Sequence, residues 1–215
     1  MDIEQYATTL SDSQTPQLAA LYRTTHLQRL YPRMCCEPLQ GRLLKMLTRM
    51  IAPHRILELG TFSGYSSLCF AEGMPADAHL FTIEIDDEAA PDIQAEFDAS
   101  PWANRIHLLI GNAIDIIPQL SVHEPWDMVF IDANKRQYLD YYKLILPRVA
   151  PGGYIIADNT LWSGKVLDTA ANHDSQSLAI DAFNKFVAAD TTVEKVIIPL
   201  RDGLTIIRKK TPAEL

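Results

Sequence analysis

The chain has 215 residues, 47% of them hydrophobic and 21% charged, with a net charge of −8. That is the composition of an ordinary globular protein long enough to bury a substantial core. The acidic balance gives no electrostatic footprint for nucleic acid or for an anionic membrane surface.

Cys35, Cys36 and Cys69 are the cysteines, an odd count with two adjacent and no C-x-x-C pair. Neither a disulfide framework nor a thiolate zinc site is indicated, and a reducing compartment fits. The acidic start Met1-Asp2-Ile3-Glu4-Gln5 lacks the apolar segment of a signal peptide. No apolar run approaches membrane-spanning length, so the expectation is a cytoplasmic protein.

Thr15-Pro16 reads as a helix start. Leu18, Leu21, Leu27 and Leu30 follow at roughly helical spacing until Tyr31-Pro32. A second helix is predicted from about Leu39 to Ile51 through Leu43, Leu44, Leu47 and Met50, with Pro53 beyond it. Strands are then predicted at Arg55–Gly60, His79–Ile85, Ile106–Gly111, Trp126–Asp132 and Gly153–Asp158. Helices are predicted between and after them, at about Tyr65–Glu72, Asp87–Ala99, Ala113–Leu120, Arg136–Val149 and Ser175–Ala188.

Nearly continuous apolar runs such as Met128-Val129-Phe130-Ile131 mark strands buried on both faces. Strand-helix alternation means a doubly wound parallel sheet. Val193–Leu200 and Leu204–Lys209 break the pattern, because only Arg201-Asp202-Gly203 separates them. So short a connection makes a hairpin, and the last strand is predicted antiparallel. Arg208-Lys209-Lys210 reads as a solvated strand end. The expected fold is an α/β, Rossmann-like, mostly parallel seven-stranded sheet with an antiparallel last strand. It forms a single domain over 1–215, with 1–52 as a helical extension packed on it.

Open parallel sheets place ligands at the carboxyl ends of their strands. Asp132 ends one predicted strand; Asp158 and Asn159 end another. Two carboxylates and an amide oxygen suit a hard cation, Mg²⁺ first, with Mn²⁺ or Ca²⁺ as alternatives. Lys135 adds a base. Taken singly, each aspartate also fits a helix N-cap, and Lys135 fits a surface residue.

Gly60 and Gly64 follow the first strand with G-x-x-x-G spacing, which is not the dinucleotide fingerprint. Glu84 closes the second strand, where a carboxylate can accept both ribose hydroxyls of a nucleoside cofactor. Asp86 and Asp87 are better suited to capping the next helix. Glu58, flanked by Leu57 and Leu59, needs a partner such as the ammonium of a methionine moiety. Asn112-Ala113 either meets an adenine ring or starts a helix.

These residues carry a family resemblance. The segments are Met34 to Gly41, Leu57 to Ser66, Asp127 to Lys135, Asp158 to Gly164, and Asp202-Gly203-Leu204. From about Tyr31 to Lys209 the chain resembles the metal-dependent, class I S-adenosylmethionine O-methyltransferases of the caffeoyl-CoA and catechol group. The resemblance implies S-adenosylmethionine as cofactor and a divalent cation on Asp132, Asp158 and Asn159. Lys135 is implied as general base, with Asp132 also at the reaction centre. Cys36, Glu58, Gly60, Phe62, Ser66, Glu84, Ala113 and Asp132 are implied around the cofactor, and a homodimer is implied.

Three positions depart from the family: Asn134 where plant enzymes carry aspartate, Thr205 where catechol enzymes carry a glutamate, and no tryptophan beside Lys135. The expected activity is methyl transfer to a hydroxyl of a small ortho-dihydroxy aromatic. The rivals are methylation of another hydroxyl, such as that of a hydroxylated tRNA base, and a non-catalytic nucleoside-binding protein. A nicotinamide dehydrogenase fits poorly because the glycine spacing is wrong.

Overall fold

The computed structural model describes residues 3–121 and 123–215, so Met1 and Asp2 of the acidic start lie outside the described residues. All seven predicted strands form: β1 (Arg55–Leu59), β2 (His79–Glu84), β3 (Ile106–Ile110), β4 (Trp126–Ile131), β5 (Val149–Asp158), β6 (Val193–Ile198) and β7 (Leu204–Lys209). They make one sheet in the order β3-β2-β1-β4-β5-β7-β6. The chain divides into two compact units. One joins the residues up to His54 with Thr61–Ile110; the other joins Arg55–Gly60 with Gly111–Leu215.

The first unit holds α1 (Ile3–Leu10), α2 (Pro16–Gln28), α3 (Pro38–Ile51), α4 (Tyr65–Gly73) and α5 (Ala90–Asp98), with β2 and β3 paired in parallel. Thr15 caps α2 by accepting the Leu18 N–H, as its sequence indicates. That helix stops at Gln28, and Pro32 opens a 3-10 turn, Pro32–Met34, instead of ending the helix itself. Leu18, Leu21 and Thr25 form its buried face, while Leu27 and Leu30 of the predicted stripe are exposed.

In α3 the predicted stripe fails in part, since Met50 is exposed and the buried residues include Arg42 and Thr48. The cause is Glu72 on α4. Its carboxylate takes Arg42 at 2.6 Å and Lys45 at 3.2 Å, so a charged residue occupies the inner face. Burial opposes ionisation of Glu72, but the two cations outweigh it and hold the carboxyl below its usual range.

The second unit holds β1, β4, β5, β6 and β7 with α6 (Ala113–Ile116), α7 (Tyr138–Ile145) and α8 (Ser175–Ala189). β4 pairs in parallel with β1 and β5. β5 begins earlier than predicted, because Pro151-Gly152-Gly153 lies within the strand, and its register with β4 shifts between Trp126 and Met128. The long helix predicted over Arg136–Val149 is shorter. A 3-10 turn, Lys135–Gln137, leads into α7, and another containing Pro147, Leu146–Arg148, follows it. Proline removes a helical N–H there.

Phe183 of α8 meets Tyr138 and Tyr142 of α7 edge-on, with centroids 5.6 and 6.0 Å apart. Such pairs add about 0.5–1.5 kcal/mol each beyond burial.

β7 inserts between β5 and β6, antiparallel to both, as the short hairpin requires. Exposed Glu194 and Lys195 mark β6 as the charged outer edge. Gly203 turns the hairpin at a φ of +90°, where a Cβ would lie 2.5 Å from Leu161 Cγ. The basic ending is not a freely solvated strand end. Arg208 pairs with Glu194 and Glu214 at 3.0 and 2.9 Å. Lys209 donates to Leu146 O and Val149 O at 2.9 and 2.8 Å, satisfying carbonyls beyond α7.

Candidate active site

Register explains how residues far apart in sequence meet in the second unit. Ile131 pairs with Ala157 across β4 and β5, so Asp132 and Asp158 stand level at the carboxyl edge. Leu59 pairs with Ile131, and the Asp132 N–H donates to Leu59 O at 2.9 Å. Gly60 therefore lies against the turn that carries Asp132. A Cβ on Gly60 would sit 2.2 Å from Asp132 O, at a φ of +96°.

Neither aspartate is a helix cap. Asn134 caps the 3-10 turn after β4 by accepting the Arg136 N–H. No side chain caps the 3-10 turn that follows Asp158 and Asn159. Asp158 is buried, and its Oδ1 accepts the Asn159 N–H at 2.8 Å, which fixes the carboxylate. Asn159 takes a φ of 58°, a conformation asparagine tolerates better than most residues.

Lys135 is not a surface residue; it is only 9% exposed. Its Nζ donates to Asp132 Oδ1 at 2.5 Å and to Tyr138 Oη at 2.7 Å. Tyr138 Oη in turn reaches Asp158 O at 2.9 Å and Ile131 O at 3.2 Å. Burial, with the charges of Asp132 and Asp158, pushes the Tyr138 phenol well above its ordinary range, so it stays protonated. Sequence reasoning missed Tyr138. Its one signal is position, three residues beyond Lys135 where the next helix begins.

The structure brings Asp132 and Lys135 into contact and ties Asp158 to Lys135 through Tyr138. Glu58, on β1, is wholly buried, and Ala113 is the buried first residue of α6. Asn112 caps that helix through the Ile114 N–H, which is the simpler of its two readings. Among the described residues no group of three or more His, Cys, Asp or Glu side chains is arranged to hold a metal. The candidate donor set is instead two carboxylates and an amide, with Lys135 Nζ bonded to one of the carboxylates.

In the first unit, Glu84 is held by three backbone donors. Oε2 accepts the Phe62 N–H at 2.6 Å; Oε1 accepts those of Ile85 and Asp86 at 2.9 and 3.0 Å. Phe62 adopts a φ of 54° to present that N–H. A carboxylate has about four acceptor positions, so one remains for a ligand hydroxyl. Asp86 and Asp87 do not cap α5, whose N-cap is Ala89; Asp86 accepts the Glu88 N–H instead. Ser66 is buried in the first turn of α4. Cys36 is buried, and its thiol donates to Glu37 O at 3.6 Å. None of the three cysteines is joined in a disulfide.

Two further features near Asn159 were not anticipated. Trp162 and Ser163 have φ of 46° and 53°, left-handed values that non-glycine residues seldom hold without cause. The Trp162 indole N–H is buried without a hydrogen-bond partner among the described residues. Thr205, where a substrate-gripping glutamate was expected in catechol enzymes, is buried and donates to Thr160 Oγ1 at 2.7 Å.

The sequence pattern of a family described as O-methyltransferase matches residues 8–210. The chain belongs to this O-methyltransferase family. A catechol O-methyltransferase of Niastella koreensis is 37% identical over 172 residues, covering 79% of this chain and 77% of that protein. Caffeoyl-CoA O-methyltransferase 2 of Petunia hybrida is 31% identical, covering 79% and 74%.

Among solved structures, the O-methyltransferase TomG of Streptomyces achromogenes, in complex with SAM, superposes with a TM-score of 0.90 at 29% identity. That match covers 97% of this chain and 96% of the other. A Bacillus cereus O-methyltransferase in complex with SAH gives 0.89 at 26% identity, covering 97% of each chain. The present O-methyltransferase is thus an S-adenosylmethionine-dependent enzyme with the Rossmann-like fold of these neighbours.

Proposed function

We propose that this O-methyltransferase moves the methyl group of S-adenosylmethionine to one hydroxyl of a small ortho-dihydroxy aromatic, with a divalent cation held by Asp132, Asp158 and Asn159. The observation that carries the reading is the level placement of Asp132 and Asp158 by the β4–β5 register, with buried Lys135 bonded to the first. The donor set fits a hard cation: two carboxylates and an amide oxygen on consecutive or register-matched positions.

When bound, the cation would polarise a phenolic oxygen, and lowering a phenol pKa from about 10 to about 7 is worth roughly 4 kcal/mol. The protein's own groups do the rest. Lys135 accepts the hydroxyl proton. Asp132 holds the Lys135 side chain at the reaction centre. Glu84, fixed by three N–H groups, accepts from one ribose hydroxyl at its remaining position. Glu58, buried on β1 two residues before Gly60, takes the ammonium of the methionine end.

Gly60, Phe62, Ser66, Ala113 and Cys36 line the cofactor with backbone and small or apolar groups. The unsatisfied Trp162 N–H offers a donor to an acceptor oxygen. The net charge of −8 favours a small acceptor over a nucleic acid.

The test is methyl transfer from labelled cofactor to a panel of aromatic diols under several divalent ions, with and without EDTA. Chelation and Asp158→Ala are each expected to lower turnover at least about a hundredfold, the scale of lost electrostatic stabilisation. Turnover indifferent to both would remove the cation from the reading.

A further inference from the structure

We propose that Asn184 of α8 is a positioning residue for the cation site: it holds the Thr160 carbonyl, and through Thr160 it keeps the Asn159 amide oxygen in one place. The inference rests on the reading of Asn159 as a cation ligand. Asn159 opens a segment of unusual backbone, in which Asn159, Trp162 and Ser163 have φ of 58°, 46° and 53°. Left-handed conformations of this kind persist only where the surroundings over-determine them.

The ties converge on Thr160, which is wholly buried. Its N–H donates to Gly203 O at 3.1 Å, and its hydroxyl accepts from Thr205 at 2.7 Å. Both partners come from the hairpin turn and β7. Its carbonyl accepts from Asn184 Nδ2 at 2.7 Å, a tie from a different element. The peptide unit between Thr160 and Leu161 is thereby held at both edges. Its N–H donates to Asp202 O at 2.7 Å, and its C=O meets α8. A peptide unit is planar, so fixing both edges to separate elements stops it from turning. With Asn184 gone, the hairpin holds one edge only. The plane then rocks, and the backbone of Asn159 moves with it. Thr205 differs, because it holds only the Thr160 side chain.

The amide itself argues for this role. A carbonyl has no proton, so the Asn184 NH₂ group faces Thr160 O and its own oxygen points elsewhere. That Oδ1 is buried without a hydrogen-bond partner among the described residues. An unsatisfied buried acceptor lowers stability, and a leucine of similar size avoids the penalty. Stability alone therefore gives a poor reason for asparagine here. What the amide supplies is the bond to the residue after Asn159.

The test is Mn²⁺ binding, followed by the EPR signal of the free ion at about 0.15 M salt to screen the acidic surface. The wild type, Asn184→Leu, Thr205→Val and Asp158→Ala are compared. Asn184→Leu and Thr205→Val each remove one buried hydrogen bond to Thr160, so general loosening affects both alike. Asn184→Leu should weaken Mn²⁺ binding at least about tenfold, the low end for a lost partner behind a metal ligand, and Thr205→Val less than about twofold. S-adenosylmethionine affinity of Asn184→Leu, measured without the metal, should match the wild type.

Equal weakening in Asn184→Leu and Thr205→Val, wild-type Mn²⁺ affinity in Asn184→Leu, or a matching loss of cofactor affinity would each overturn the proposal while leaving the cation its site. A wild type that binds no Mn²⁺, or binding that survives Asp158→Ala, would overturn the cation reading and this inference with it. If Asn184→Leu fails to fold, Asn184→Ala removes the donor without adding bulk. The same comparison with Thr205→Val then decides.

Discussion

At the scale of single residues, Gly60 carries the strictest steric demand among the glycines, against the turn that holds Asp132. Its φ is +96°, and a Cβ would meet the Asp132 carbonyl oxygen at 2.2 Å. Sparsely populated backbone conformations cost about 1–3 kcal/mol for a residue with a side chain. The clash adds to that cost, because the obstacle is backbone held by the β1–β4 register and cannot swing away. Gly60→Ala should lower the melting temperature by at least about 5 °C, at roughly 2–4 °C per kcal/mol for a chain of this size. A thermal melt followed by circular dichroism checks it, and an unchanged melting temperature would mean that the turn is softer than its geometry implies. Thr205 is the contrasting case. Its hydroxyl is spent on Thr160, so Thr205→Val should cost about 1 kcal/mol of stability through a lost buried hydrogen bond. Its effect on catechol turnover should be small.

Between elements, the join of α3 to α4 depends on Arg42, Lys45 and Glu72. The Glu72 carboxyl is held below its usual range, so its ionised form contributes stability. That contribution is complete above the ordinary glutamate value of about 4.3 and is lost as pH falls through the lower folded value. Glu72→Gln leaves Arg42 buried without its counter-charge and should cost about 3 kcal/mol at neutral pH. The deficit should shrink as the wild type is acidified below about pH 4.3. Urea titrations at pH 7, 5 and 3.5 read this directly; a pH-independent difference would contradict the linkage.

The same pair shows why part of the helical patterning was not legible. An apolar stripe at Leu43, Leu44, Leu47 and Met50 suggested the inner face of α3, and Leu44 is buried there. The ion pair with Glu72, thirty residues away, brings Arg42 inside and leaves Met50 exposed. Leu27 and Leu30 fail for a related reason, because α2 ends before Leu30 and its covered face follows Leu18, Leu21 and Thr25.

For the whole molecule, cofactor binding and folding are linked. A ligand that binds only the folded chain stabilises it by about 2.7 kcal/mol at a hundred times its dissociation constant. S-adenosylmethionine at that excess should raise the melting temperature by about 5–10 °C. Glu84→Ala should abolish most of the rise, because it removes the carboxylate that three N–H groups preorganise. A full shift in Glu84→Ala would remove Glu84 from the cofactor site.

What the residues alone determined was the local chemistry and the order of elements. Apolar runs, turn residues and the three-residue hairpin connection act over short distances, so seven strands and the antiparallel last one were readable. So was the likeness carried by Asp132, Lys135, Asp158 and Asn159. Only the tertiary structure decided which side chains share a partner. The β4–β5 register sets Asp132 level with Asp158, and burial turns Lys135 and Tyr138 from unremarkable polar residues into a bonded pair between two strand ends. The physical reason is that register and burial are properties of contacts between distant segments, which no local pattern encodes.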